Sequence, residues 1–462
     1  MKKLLIPVLL LTLMGCSKEI DYKAYYNSVL KEISSEKYYG RSAYENGDVN
    51  SAKYIIDCIS SIRGLEADGG TGAEPQFARP FLKSKIRPWD EGRWADVKGK
   101  DKYLPYLQNF SFPMNVMRGD MAVSVDGKEL RATYDFTAKE FSPACHGEFK
   151  VAYMPDDKVN EKDFVKWLDS GEFKDCFVVV EWSKYLELPA HPFERYLPYL
   201  GKLQNVGGII LRDRDEMFPY FKARTYYTTN MPVLMVTEDF PADAKSIKVD
   251  IDAEMILNKD AHNIVAWLPG TDKDEDEYYT FIAHYDHLGL MGRDNIYYGA
   301  NDNASGAAML VALAKYFSAN RPEKSIQFIW LDAEETNLLG AFYYCENAVR
   351  PLDKIKFLIN LDMVADNSDH LATECSENGM DELEEIRELN ADGTFPPFDI
   401  ALQTFTDNSD HYAFGEKGVP SVYFSTEGDY LKDYHTPRDT YENSTDANFD
   451  RLFSLLTRYI ND

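Results

Sequence analysis

The chain has 462 residues, with 77 Asp and Glu against 50 Lys and Arg, a formal net charge of −27. At 44% hydrophobic and 14% aromatic it is too apolar for a disordered chain, and its length suggests two to three domains or one large one with an insertion. The acid excess argues against nucleic acid and anionic lipid as partners, because phosphate contacts need clustered Lys and Arg; most of these carboxylates read as solvated surface.

The chain opens Met1-Lys2-Lys3, and an apolar run extends from Leu4 to Leu13. A positive start and an apolar run too short to cross a bilayer read as a secretory signal. The Leu13-Met14-Gly15-Cys16 end resembles a bacterial lipobox. That resemblance implies that residues 1–15 are removed and that Cys16 carries a lipid. Ser17 after it implies onward transport, so the expectation is an exported lipoprotein of the outer membrane, on its periplasmic or cell-surface face. No later segment has 18 consecutive apolar residues. Cys58, Cys145, Cys176, Cys345 and Cys375 form no Cys-x-x-Cys pair, which argues against a cysteine metal site. One disulfide among them is open; buried free thiols are the plainer reading.

Residues 21 to about 65 show helical spacing, with apolar positions 55, 58, 59 and 62 on one face and Gly64 as a stop. Residues 65–105, rich in Gly, Pro and charge, read as loop. Between 120 and 250, β-like runs recur at Phe177–Val180, Gly208–Leu211 and Val233–Val236, with helical stretches at 161–169 and 195–205 between them. That order predicts a compact inserted β/α domain at 119–254, set between an N-terminal part at 16–118 and a main domain at 255–462. Leu203-Gln204-Asn205-Val206-Gly207-Gly208-Ile209-Ile210 and Met231-Pro232-Val233-Leu234 resemble a protease-associated domain. The alternative is that this stretch belongs to one continuous large domain.

From 262 onward strands and helices alternate. Strands are predicted at Val265–Leu268, Tyr279–Ala283, Ile326–Leu331 and Lys356–Leu361, with helices at Ala304–Phe317 and Leu338–Ala348. The first of these helices is apolar nearly all round and is expected to be buried. The fold class is therefore α/β, with a mostly parallel mixed sheet sandwiched by helices.

The residues suited to chemistry stand at the strand ends. His284-Tyr285-Asp286-His287 ends one strand, Asp332-Ala333-Glu334-Glu335 the next and Asp362 the third, while Asn301-Asp302-Asn303 precedes the buried helix and Asp433-Tyr434-His435 lies near the end of the chain. Open α/β sheets bind ligands beyond the carboxyl ends of their strands. Imidazole and carboxylate suit Zn²⁺ and related ions, and so many acids converging without cations would have to protonate. One carboxylate has two oxygens and can bridge two metals, and adjacent Glu334 and Glu335 point different ways, so one can ligate while the other moves protons.

In this order the motifs resemble metallopeptidase family 28, the co-catalytic zinc exopeptidases, with the likeness covering roughly 255–462 well and 20–115 loosely. The resemblance implies two Zn²⁺ per chain. It implies His284 and Asp362 as ligands of one, Glu335 as a ligand of the other, Asp302 as the bridge and His435 as the last imidazole. It further implies Glu334 as general base, Asp286 orienting His284, Tyr434 stabilising the oxyanion, and a cis Asp302–Asn303 bond. His287 reads as structural, with a position facing the cleft as the alternative, whereas His411, in Ser409-Asp410-His411 before Gly418-Val419-Pro420, reads as a candidate lining the substrate pocket, with a packing role as the alternative. The expected activity is an aminopeptidase hydrolysing N-terminal residues of peptides. A carboxypeptidase needs cations for the substrate carboxylate, for which Arg293 and Arg438 are candidates; a glutaminyl cyclase and a surface-anchored peptide-binding protein also stay open.

Overall fold

The computed structural model describes residues 20–461 except 43–45, 71–86, 89–93, 95–96, 156–165, 169–172, 182–205, 213–227, 427 and 429–431. The expected signal segment, Cys16, the 195–205 helix and most of the 161–169 helix lie outside the described residues.

Two sheets organise the chain. The larger has ten strands among the described residues. Its centre is built of Ser421–Thr426, Ile355–Leu361, Tyr278–His284 and Ser325–Leu331, all mutually parallel. Antiparallel neighbours flank them: Glu254–Leu268 on one side and His370–Cys375 on the other. The central strands are buried except for the half-buried Ser325 and Lys356 near their starts, as continuous apolar runs demand when both faces are covered. Helix Gly306–Ala319 lies on one face, with Gly306 through Ala314 fully enclosed, and its side chains share a core with Tyr22–Ile33, Gly47–Ile59 and the C-terminal Phe449–Asn461. Asp21 caps the first of these helices by accepting from the Ala24 amide at 2.8 Å. Leu339–Glu346 covers the opposite face. The mixed α/β class predicted for residues 262 onward is the class observed, with strand ends within a residue or two of expectation, apart from one. The predicted Val265–Leu268 strand is the end of a 15-residue strand, Glu254–Leu268, whose first half pairs with Leu107–Val116.

The second sheet has eight strands among the described residues, all between Met121 and Ile251, in the order Lys128–Leu130, Met121–Val125, Ser246–Ile251, Cys145–Tyr153, Phe173–Glu181, Val206–Arg212, Val233–Val236 and Phe136–Ala138. Phe177, Val249 and Val123 on one of its faces pack into a single cluster with Phe110, Phe112 and Ala261 of the larger sheet and with Leu288, Met291 and Tyr297 from the hairpin beyond His287. The two sheets therefore share apolar surface immediately beside the segment that carries the histidine motif. All five described cysteines are free thiols, Cys345 and Cys375 buried and the others half-buried. No helix among the described residues is long and apolar enough to cross a membrane.

Candidate metal centre

Five loops and one distant arginine build the site. Strand Tyr278–His284 ends on His284, whose Nδ1 lies 3.3 Å from the Asp286 carbonyl oxygen and 3.5 Å from Asp286 Oδ1. Asp286 Oδ1 also accepts the Glu334 amide at 3.1 Å, so one carboxylate braces two of the loops. Between Gly299 and Gly306 the chain is irregular, and the Asp302–Asn303 peptide bond is cis. The Asn301 and Asp302 amides donate to the buried Asp439 carboxylate at 2.7 and 3.0 Å. Asn303 donates to the Leu361 carbonyl and accepts from the Met363 amide, lacing this loop to the one carrying Asp362. Ser409 Oγ donates to Asp362 Oδ2 at 2.7 Å. Ala333, Met363 and His435 all have positive φ, a conformation that costs a non-glycine residue about 1–3 kcal/mol and persists only where surrounding contacts impose it.

Arg41 comes from the far end of the chain and is fully buried. Its guanidinium donates to the carbonyls of Tyr285 (2.7 Å), Tyr298 (2.6 Å), Gly299 (2.7 Å) and Asp302 (3.1 Å), and to Ile33 (3.3 Å). One side chain thus ties the N-terminal segment to both the His284 loop and the Asp302 loop. Burial pulls it down to about 10, against the attraction of Asp439 and Asp302, so it remains a cation under an acidic site.

The functional side chains meet around Asp302. Its Oδ1 lies 3.3 Å from His284 Nε2, which is itself 3.3 Å from Asp362 Oδ1. Its Oδ2 lies 3.0 Å from His435 Nε2, which is 3.2 Å from Glu335 Oε2. The two oxygens of one carboxylate therefore face two different imidazole–carboxylate clusters. His284, Asp302 and Asp362 present donor atoms within 4.8 Å of one another, and so do His287, Asp302 and Glu335. Asp302 Oδ2 and Glu335 Oε1 are buried without a hydrogen-bond partner. Orphaned anionic oxygens are costly in a protein interior unless a cation satisfies them, and this donor set fits Zn²⁺.

Electrostatics agree. Burial would raise the Asp302 and Glu335 carboxyls, but the histidines outweigh it. Asp302 is held well below the usual carboxylate range, and Glu335 at about 2. Burial likewise opposes charge on His284, yet Asp362 and Glu334 push it well above an ordinary imidazole. Burial also pulls His435 down, and Glu335 and Asp302 outweigh it to hold this imidazole at about 9. Glu334 goes the other way, raised by burial, then by Glu335, Asp410 and Asp362, with His284 opposing.

Eight residues named from the sequence, His284, Asp286, Asp302, Glu334, Glu335, Asp362, Tyr434 and His435, come together here. Tyr434 is 37% exposed, at the mouth, with its ring stacked on His435 at 3.7 Å between centroids. His411 requires a correction. It has no exposed surface and packs between Phe405 and Tyr423, 3.4 Å from Glu374, so it does not line a pocket. Sequence reasoning does not single out its neighbour Asp410, although this buried carboxylate has no hydrogen-bond partner and burial drives its pKa well up. Nor does it find Arg41, Asp439 and Ser409; each acts through a contact tens to hundreds of residues away in the chain. His287, read as structural, stands inside the cluster.

Residues 263–460 match the model of peptidase family M28. Aminopeptidase YwaD of Bacillus subtilis (strain 168) is 27% identical over 258 residues, covering 54% of this chain and 55% of that protein. Leucine aminopeptidase 2 of Trichophyton equinum is 26% identical over 200 residues, covering 40% of this chain and 38% of that one. The chain thus spans about half the length, or less, of these curated relatives. Among solved structures, a zinc aminopeptidase from Bacillus subtilis superposes with a TM-score of 0.62 at 17% identity, over 96% of this chain and 95% of that one. An aminopeptidase from Aneurinibacillus sp. strain AM-1 superposes with a TM-score of 0.62 at 15% identity, over 95% and 93%. The fold is shared with both.

Proposed function

We propose that this chain is a zinc-dependent exopeptidase of the M28 type, an aminopeptidase that hydrolyses N-terminal residues of peptides. The observation that carries the reading is Asp302, whose two oxygens face separate clusters, His284 with Asp362 and His435 with Glu335. Those residues would hold two Zn²⁺ with Asp302 between them. Zinc there supplies a water acidic enough to attack at neutral pH and a Lewis acid for the scissile carbonyl.

The chain's own residues do the rest. Glu334 takes the proton from the attacking water and passes it to the leaving amine; burial and three neighbouring carboxyls make it a ready proton acceptor. Tyr434 offers its phenol to the developing oxyanion from the exposed side of the site. Asp286 positions His284 and the Glu334 backbone together.

Arg438 is engaged by Asp433 at 2.6 Å and Arg293 by Asp120 at 2.9 Å, which weighs against either serving a substrate carboxylate and so against a carboxypeptidase. The same proposal includes export, removal of residues 1–15, a lipid on Cys16 and an outer-membrane location, supported by the Met1–Ser17 sequence. It also takes residues 119–254 as a protease-associated-like unit, supported by the Val206–Ile210 and Met231–Leu234 motifs.

The test is a panel of peptides with free and acetylated N-termini, assayed after chelation and after Zn²⁺ return. Stepwise release of N-terminal residues, lost on chelation and blocked by acetylation, is expected. Release from the C-terminus would make it a carboxypeptidase. Cyclisation of N-terminal Gln would make it a cyclase. Peptide binding with no turnover by the zinc-loaded protein would make it a binding protein.

A further inference from the structure

We propose that His287 is a further metal ligand, so that the position beside His435 has four protein donor groups and the one beside His284 has three. The inference rests on the two-metal reading above and deepens it. His287 has no exposed surface, and its Nδ1 lies 2.8 Å from Glu335 Oε1 and 3.7 Å from Asp302 Oδ2. Despite these distances, neither ring nitrogen of His287 has a hydrogen-bond partner, and neither does Glu335 Oε1 or Asp302 Oδ2. The three atoms approach a common point without aligning as donor and acceptor. The Nδ1–Oε1 contact is short enough for a hydrogen bond but is not aligned as one, and a cation between the three atoms would satisfy all of them.

The ring is seated there by its surroundings. A Cβ on Gly299 would fall 2.4 Å from both Cγ and Cδ2 of His287, so only a glycine lets the imidazole reach the carboxylates. Gly299 also has φ of 59°, which favours glycine independently. The rings of His287 and His435 stand 5.9 Å apart at 71° and address the same two carboxylates from different directions.

The two positions are then unequal. His287, His435, Glu335 and Asp302 surround one; His284, Asp362 and Asp302 surround the other. An added imidazole tightens binding of Zn²⁺ and Co²⁺. The His435 side is the retained ion, and the His284 side is the one that exchanges and keeps room for other ligands.

The metal-free full chain is titrated with Zn²⁺ and Co²⁺ against a chromophoric chelator. Wild type is expected to show two affinity classes. His287→Ala should weaken the tighter class by at least about tenfold and alter the visible Co²⁺ absorption. His287→Gln can still donate to Glu335 and should stay as weak as the alanine variant. Recovery to wild-type affinity in His287→Gln would make His287 a hydrogen-bond donor and overturn the proposal, as would an unchanged His287→Ala. If these variants do not fold, X-ray absorption of the zinc-loaded wild type decides, with three imidazoles per two ions expected and two overturning it. Wild type that binds no metal would instead refute the two-metal reading itself.

Discussion

Parallel strands occur in both sheets, but their carboxyl ends differ. In the eight-stranded sheet, Phe173–Glu181 and Val206–Arg212 run side by side and end in Glu181 and Arg212, which pair with each other at 3.0 Å. In the ten-stranded sheet, the parallel strands Tyr278–His284, Ser325–Leu331 and Ile355–Leu361 end in or lead into His284, Glu334 with Glu335, and Asp362. Arg41, a buried arginine nearby, gives its hydrogen bonds to carbonyls instead of carboxylates. A parallel sheet end is therefore not a site in itself. What distinguishes the site is an excess of buried anionic oxygen whose partners are imidazoles and whose remaining lone pairs are unsatisfied.

Three experiments sharpen that contrast, in order of expected effect. Glu334→Gln should lower kcat by roughly 10²–10⁴-fold, the usual worth of a general base, while elemental analysis finds the metal retained. Loss of metal with activity would mean that Glu334 ligates, and full activity would remove it from the chemistry. In the other sheet, Ile209 is fully buried in a cluster with Val178, Leu211 and Val233. Ile209→Ala should cost about 2–5 kcal/mol of stability by denaturant unfolding and leave metal affinity unchanged. A fall in metal affinity would show that this side of the smaller sheet is coupled to the site.

The smallest effect is a pH dependence. His435 stands at about 9, above the ordinary imidazole value of ~6.5, so its charged form stabilises the metal-free fold. That contribution is complete below pH ~6.5 and is lost as pH rises through about 9. A ligand must be neutral, so metal binding expels this proton. Metal affinity should rise up to about tenfold per pH unit between 7 and 9, as monitored by competition titration. A flat profile would mean that His435 is already neutral in the metal-free chain.

Much of the site was legible because the relevant residues stand at or just beyond strand ends, and strand runs such as Tyr278–His284 are read from their apolar continuity. His411 misled because its loop position says nothing of whether a ring turns outward or, as here, inserts between Phe405 and Tyr423. Only the apolar half of the long Glu254–Leu268 strand is legible, since Asn258, Lys259 and Asp260 interrupt the pattern at the register shift in its pairing with Leu107–Val116.

Sequence alone determined the α/β class, the Tyr279–Ala283, Ile326–Leu331 and Lys356–Leu361 strands and the identity of the acids and imidazoles at their ends. These depend on local hydrophobic pattern and on residue type. Tertiary structure alone decided that Asp302 turns its two oxygens to different clusters, that Arg41 holds two loops by their carbonyls, and that Gly299 opens the space through which His287 joins the carboxylates. Each of these is a direction in space set by contacts between segments far apart in the chain, and periodicity carries no information about it.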